Sequence, residues 1–212
     1  MCHMPLTLGG AWERHIQSAH RILVSLLRTQ GGQLTDESLR SLMYEVAALI
    51  KSRPLTVVPS SDNLQLLLCQ QNLLTAKSGV VMPPPGNFVE ADLYAKKYWR
   101  RIQYLCNVFW NKWQKEYLSS LQSRQKWHSE YKNLQVGDIV ILKDELMPRG
   151  LWSICKVEKV YESSDGKVRS VNIRMGDKSL SDTGKRTKAV SFLDRPVHKL
   201  ILLVPKAELM VH

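Results

Sequence analysis

Apolar positions recur every three or four residues over three long stretches of the chain, and alternate with polar ones over its last third. Between Gly9 and Thr29, Trp12, Ile16, Ala19, Leu23 and Leu27 fall on one side of a helix, because about 3.6 residues per turn bring such positions onto a common face. Gly31-Gly32 ends that pattern. A second helix is predicted from Thr35, whose hydroxyl can accept from a free amide of the first turn. Asp36 and Glu37 then sit at the positive end of the helix dipole. Its stripe is Leu39, Leu42, Met43, Val46, Leu49 and Ile50, and Pro54 stops it. The third stripe, from Glu90 to Gln125, runs through Tyr94, Tyr98, Ile102, Leu105, Phe109, Trp113, Tyr117 and Leu121. Lys96, Lys97, Arg100, Arg101, Lys112 and Lys115 lie between, so a helix with a basic outer face is expected.

Residues 55–88 mix Pro, Ser, Asn and Gly with short apolar pieces, and Met82-Pro83-Pro84-Pro85-Gly86 is predicted to be a stiff extended connector. Beyond Lys126 the period becomes that of strands. Val136–Lys143 and Trp152–Tyr161 are β-rich runs, and Val171, Ile173 and Met175 alternate with Asn172 and Arg174. Asp165-Gly166 is a two-residue hairpin signal between the second and third runs. A polar loop over 176–188 precedes Ala189–Leu193 and the last apolar run, Val197–Val204. Short strands with frequent turns suggest a small antiparallel barrel, so the expected class is α+β.

Length and composition add limits. A chain of 212 residues, 44% hydrophobic and 23% charged, is globular and holds one or two modest domains. No apolar run approaches the roughly 20 residues of a membrane helix, and the N-terminus lacks a secretory pattern, so reduced cysteines and no membrane partner are expected. Cys2, Cys69, Cys106 and Cys155 are scattered without a CxxC pair or metal-ligand spacing to histidine, which predicts neither zinc nor disulfide. Charge changes the picture most. Residues 1–90 carry 7 Lys+Arg and 6 Asp+Glu, whereas residues 91–212 carry 23 and 13 and supply 10 of the net 11 positive charges. That asymmetry points to a polyanion, with nucleic acid the leading candidate.

Several motifs then align in order. Gly9-Gly10-Ala11-Trp12-Glu13-Arg14, Leu34-Thr35-Asp36-Glu37 and Ser52-Arg53-Pro54-Leu55-Thr56 resemble the end of the catalytic core of retrotransposon integrases. Tyr98-Trp99-Arg100-Arg101-Ile102-Gln103, Phe109-Trp110, Glu116-Tyr117-Leu118 and Arg124-Gln125-Lys126-Trp127 resemble the Pao/BEL group of those elements. So do Val136-Gly137-Asp138-Ile139-Val140, Pro148-Arg149-Gly150-Leu151-Trp152 and Arg195-Pro196-Val197-His198-Lys199-Leu200.

The resemblance implies N-terminal helices left from a ribonuclease H-like core over 1–58, a Pro-containing linker over 59–89 and a basic linker helix over 90–134. An SH3-like antiparallel β-barrel over 135–205 and a tail over 206–212 follow. Family members hold two Mg²⁺ or Mn²⁺ ions with three carboxylates. Glu13 would be the third of these, and the first twelve residues offer no counterpart for the preceding aspartates. The expectation is therefore a chain that does not join DNA ends alone and holds no metal, although the intact integrase acts in the nucleus.

Candidate DNA contacts are Arg14, Gln17 and Arg21 on the first helix and Lys96, Lys97, Arg100 and Arg101 on the third. The terminal domain adds Lys143, Arg149, Lys156, Lys159, Arg169, Arg174, Lys185, Arg186 and Lys188. Trp99, Trp110, Trp113 and Trp127 are either base-stacking platforms or, at helical spacing, core residues, and Trp152 is expected in the barrel core. DNA is the implied partner, with multimers or full-length integrase as others. The alternatives are a host-retained protein-interaction module and the remnant of a decayed element without activity.

Overall fold

The computed structural model describes residues 9–30, 34–58, 66–75, 84, 86–94, 98–121, 133–144, 147–175 and 190–209. Five α-helices and seven strands occur among them. They are α1 (Gly9–Gln30), α2 (Asp36–Lys51), β1 (Pro54–Val58), β2 (Leu66–Cys69), α3 (Gln70–Thr75), α4 (Tyr98–Leu121), β3 (Ile139–Leu142), β4 (Ser153–Glu162), β5 (Val168–Met175), β6 (Ser191–Pro196), β7 (Leu200–Val204) and α5 (Lys206–Leu209). The chain is therefore α+β. It divides into two units, each discontinuous in sequence: Met1–Ile50 with Met82–Ser120, and Lys51–Val81 with Leu121–His212.

In the first unit the predicted cap holds. Thr35 Oγ1 accepts from the Ser38 amide at 3.4 Å and lies 3.0 Å from the Ser38 hydroxyl, so a free donor of the first turn of α2 is satisfied. Leu42, Val46 and Leu49 form the buried line of α2, while Met43 is exposed. On α1 the buried line is Ala19, Ile22 and Leu26, and Ile16 is half exposed. The buried face is thus rotated from the expected stripe.

The cause is α4. His15 of α1 sets its ring edge against Trp113 at 6.0 Å and near Tyr117 at 5.6 Å, and Arg21 pairs with Glu116 at 2.8 Å. Those contacts hold the α1 face that carries positions 15 and 21 against α4. Ile102, Leu105, Cys106, Phe109, Trp110, Trp113, Tyr117 and Leu118 line the buried side of α4. Each large side chain so buried contributes about 1.5–3 kcal/mol against exposure. α2 also meets α4, where Gln103 Nε2 donates to Glu45 Oε1 at 3.5 Å. The expectation that the first two helices lack a packing partner without a sheet is corrected, since α4 is that partner. The helix expected from Glu90 is also corrected: Glu90–Tyr94 is a 3₁₀ turn and the α-helix begins at Tyr98.

The second unit holds two sheets. β1 and β2 form an antiparallel pair, β1 at the end of the 1–58 segment expected to be helical and β2 within the expected 59–89 linker. The larger sheet is five-stranded and antiparallel, ordered β6-β5-β4-β3-β7. It is open, with β6 and β7 at its edges, so the expected barrel closure is absent among the described residues. Val140, Leu142, Cys155, Val157, Val168, Val171, Ile173 and Leu200 form one apolar core on one side, with Val160, Leu193 and Met175 packed against it. Ile139 and Ile141 on the other side of β3 are buried as well.

The β4–β5 hairpin turns at Asp165-Gly166, where Gly166 has φ +71° and its amide donates to the Ser163 carbonyl at 2.9 Å. A bond from the Ser163 amide to the Lys167 carbonyl at 3.0 Å widens the loop beyond two residues. The polar loop over 176–188 and the Pro83 and Pro85 positions lie outside the described residues.

Candidate functional site

Strand register decides which predicted cations meet. Lys156 of β4 pairs with Arg174 of β5, which pairs with Phe192 of β6, so these three form one row across the strands. The next row is Lys159, Asn172 and Asp194, and the third is Tyr161, Ser170 and Pro196. Directly paired residues share a face of the pleat. Val157, Val160, Val171, Ile173 and Leu193 occupy the opposite, core-facing side. Bulges between Val157 and Lys159 and between Tyr161 and Glu162 interrupt the β4 ladder. The first bulge adds Glu158 beside Lys159 and keeps the alternation in phase with the core.

The resulting face is cationic with exposed aromatic rings. Phe192 is 58% exposed and Tyr161 43%. Its carboxylates have protein neighbours, an ion pair for Glu158 and two hydrogen bonds for Asp194. Arg174 Nη1 lies 3.5 Å from Glu158 Oε1, and Asp194 Oδ1 accepts from Tyr161 Oη at 3.1 Å and from Asn172 Nδ2 at 2.7 Å. Donation to Asp194 is the main cause that raises the Tyr161 hydroxyl above its ordinary pKa of 10.0, followed by partial loss of hydration and then by the carboxylate charge. Among the described residues no carboxylate forms an ion pair with Lys156 or Lys159.

The other predicted contacts are dispersed. Arg169 is exposed at the hairpin and pairs with Asp165 at 2.7 Å, while Lys143 is half-buried just past β3. Arg149 is 5% exposed, so it is a buried turn residue. Arg100 donates from Nε to Asp92 Oδ1 at 2.7 Å and lies over the Phe88 ring at 5.7 Å, and Arg101 Nε donates to the Leu93 carbonyl. Both guanidinium groups fasten the 3₁₀ turn to α4. Arg21 is paired with Glu116, whereas Glu13, Arg14 and Gln17 are exposed on α1. Trp110, Trp113 and Trp152 are buried and Trp99 is 44% exposed. Lys96, Lys97, Trp127, Lys185, Arg186 and Lys188 lie outside the described residues.

Cys69, Cys106 and Cys155 are buried free thiols. No group of three or more His, Cys, Asp or Glu side chains among the described residues could hold a metal ion. The described donors therefore do not fit the two-metal site that the integrase resemblance implies. No helix among the described residues is long and apolar enough to cross a membrane. Sequence reasoning missed Phe192 and Tyr161. Their signal was the phase of β4 to β6, which becomes legible only once Asn172 and Arg174 are paired across the sheet.

An α+β chain is thus defined, whose open antiparallel sheet has an apolar side and, on the β4–β6 part of the other, a cationic and aromatic face. It belongs to the DUF5641 family, a family of unknown function, whose match spans residues 97–203 and so takes in α4 and almost all of the larger sheet. No curated protein and no solved structure matches the chain.

Proposed function

We propose that this chain is a DNA-binding part of a Pao/BEL-type retrotransposon integrase, which contacts the phosphodiester backbone without reading sequence. The observation that carries the reading is the meeting of Lys156, Lys159 and Arg174, three residues selected from sequence, on one open sheet face. The excess of 10 positive charges over residues 91–212 and the ordered motifs support it. In this reading α1 and α2 correspond to the last helices of a ribonuclease H-like core and β3–β7 to an SH3-like domain, with nuclear DNA and further integrase copies as partners. No strand-transfer activity is assigned to this chain by itself. A second reading, a protein-interaction module, is favoured by the exposed side chains of Val89, Tyr94, Tyr98 and Trp99.

Fluorescence anisotropy with duplex DNA across a salt series tests the first reading. Phosphate neutralisation makes log affinity fall linearly with log salt. Replacing both Lys156 and Lys159 by Ala is expected to weaken binding equally for unrelated sequences and to reduce the slope by about 2. A slope that both substitutions leave unchanged rejects this face as the contact surface.

A further inference from the structure

Resting on the DNA-binding reading, we propose that the β4–β6 face takes single-stranded nucleic acid in preference to duplex, with bases stacked on Phe192 and Tyr161. Phe192 stands 58% exposed on an edge strand, although Leu193 beside it turns into the core. A phenyl ring held in water beside cations is a surface suited to a flat π-ligand whose backbone is anionic. Register places Arg174 directly beside Phe192 and Lys156 directly beyond it, so a base on the ring has positive charge within one strand spacing of its phosphate.

Tyr161 is positioned in advance. Its hydroxyl starts on β4 yet bonds Asp194 on β6 at 3.1 Å, so the phenol lies across β5 rather than projecting freely. The bond to Asn172 at 2.7 Å fixes Asp194 in turn. A ring already immobilised loses little rotamer freedom when a base settles on it.

Charge on the face still favours a phosphate. Glu158 and Asp194 would repel a phosphate, but Arg174 offsets Glu158 as an ion pair, and Lys156 and Lys159, which form no ion pair with a carboxylate among the described residues, leave the face with three cations against two carboxylates. A duplex keeps its bases stacked inside and can use only the cations of this face. An unpaired strand can use the rings as well, and stacking contributes strongly per base without sequence preference.

The full-length chain is titrated with labelled oligo(dT) and, separately, with a duplex of equal length at the same salt. Oligo(dT) is expected to bind more tightly. Phe192→Ala is expected to weaken oligo(dT) on the order of tenfold and to leave duplex affinity unchanged. Phe192→Trp should restore oligo(dT) binding, with indole fluorescence quenched by that probe and not by duplex. Equal effects of Phe192→Ala on both probes, no effect on either, or binding of duplex alone overturns the stacking proposal and leaves the phosphate reading standing. Binding of neither probe overturns both.

Discussion

At the scale of single residues, Asp138 does more than its place in a turn suggests. Its carboxylate accepts from the Gln135 amide at 2.8 Å through Oδ2 and from the Lys206 amide at 2.9 Å through Oδ1, with the side chain 4% exposed. One acid thus ties the start of β3 to the first residue of α5. Gly137 beside it has φ +100°, and a Cβ there would meet Lys206 Cδ at 2.9 Å, so glycine satisfies both the backbone and the passing lysine stem. Asp138→Ala leaves two amides without acceptors. A loss of about 1–3 kcal/mol is expected, read as a lower urea midpoint at unchanged m-value. Asp138→Asn keeps one acceptor oxygen and should lose less.

At the scale of elements, the 3₁₀ turn over Glu90–Tyr94 shows where periodicity misleads. Tyr94 and Tyr98 continue the α4 stripe in sequence, yet both are exposed. The helix does not extend through Glu90 because Asp92 accepts from the Val89 amide at 2.9 Å and closes a tight turn on itself. Arg100 then clamps that turn to α4. Hydrogen bonding from Arg100, then from the Val89 amide, holds the Asp92 carboxyl below its ordinary pKa of 3.8. Its folded pKa is depressed, so the stability it contributes is present above 3.8 and is lost as pH falls through the folded value. Thermal midpoints followed from about pH 5 downward should drop less steeply in Asp92→Asn than in the parent. The two proteins should converge at the acid end, and parallel curves would show that Asp92 does not set the acid limb.

The helices were legible in sequence because α1, α2 and the body of α4 each bury one side, and a one-sided helix writes its period into the chain. The exact face was less legible. Which of Ile16 or Ile22 is buried depends on where His15 and Arg21 meet α4, and that is long-range information. The β1–β2 pair was hidden because four- and five-residue strands in a stretch rich in Pro, Ser and Asn resemble linker. The cationic site was half legible. Sequence counted the charges but not their partners, so Arg100 and buried Arg149 ranked beside Lys156 and Lys159.

At the scale of the molecule, the first unit is discontinuous because one aromatic column on α4 completes what α1 and α2 begin. Trp113 is fully buried, stacked between Phe109 at 6.5 Å and Tyr117 at 5.6 Å, with the His15 ring on its edge at 6.0 Å. Trp113→Ala is expected to cost about 3–5 kcal/mol through lost contacts and an unfilled cavity, a large part of the 5–15 kcal/mol typical of a folded protein. Alanine favours a helix, so α4 itself keeps its intrinsic helicity and the loss comes from packing. Trp113 Nε1 is buried without a hydrogen-bond partner, so Trp113→Phe removes volume alone and should cost less. Hydrogen exchange separates the outcomes. If this column organises the unit, amides of α1, α2 and α4 lose protection together in Trp113→Ala, whereas loss confined to α4 would mean that α1 and α2 hold each other without it.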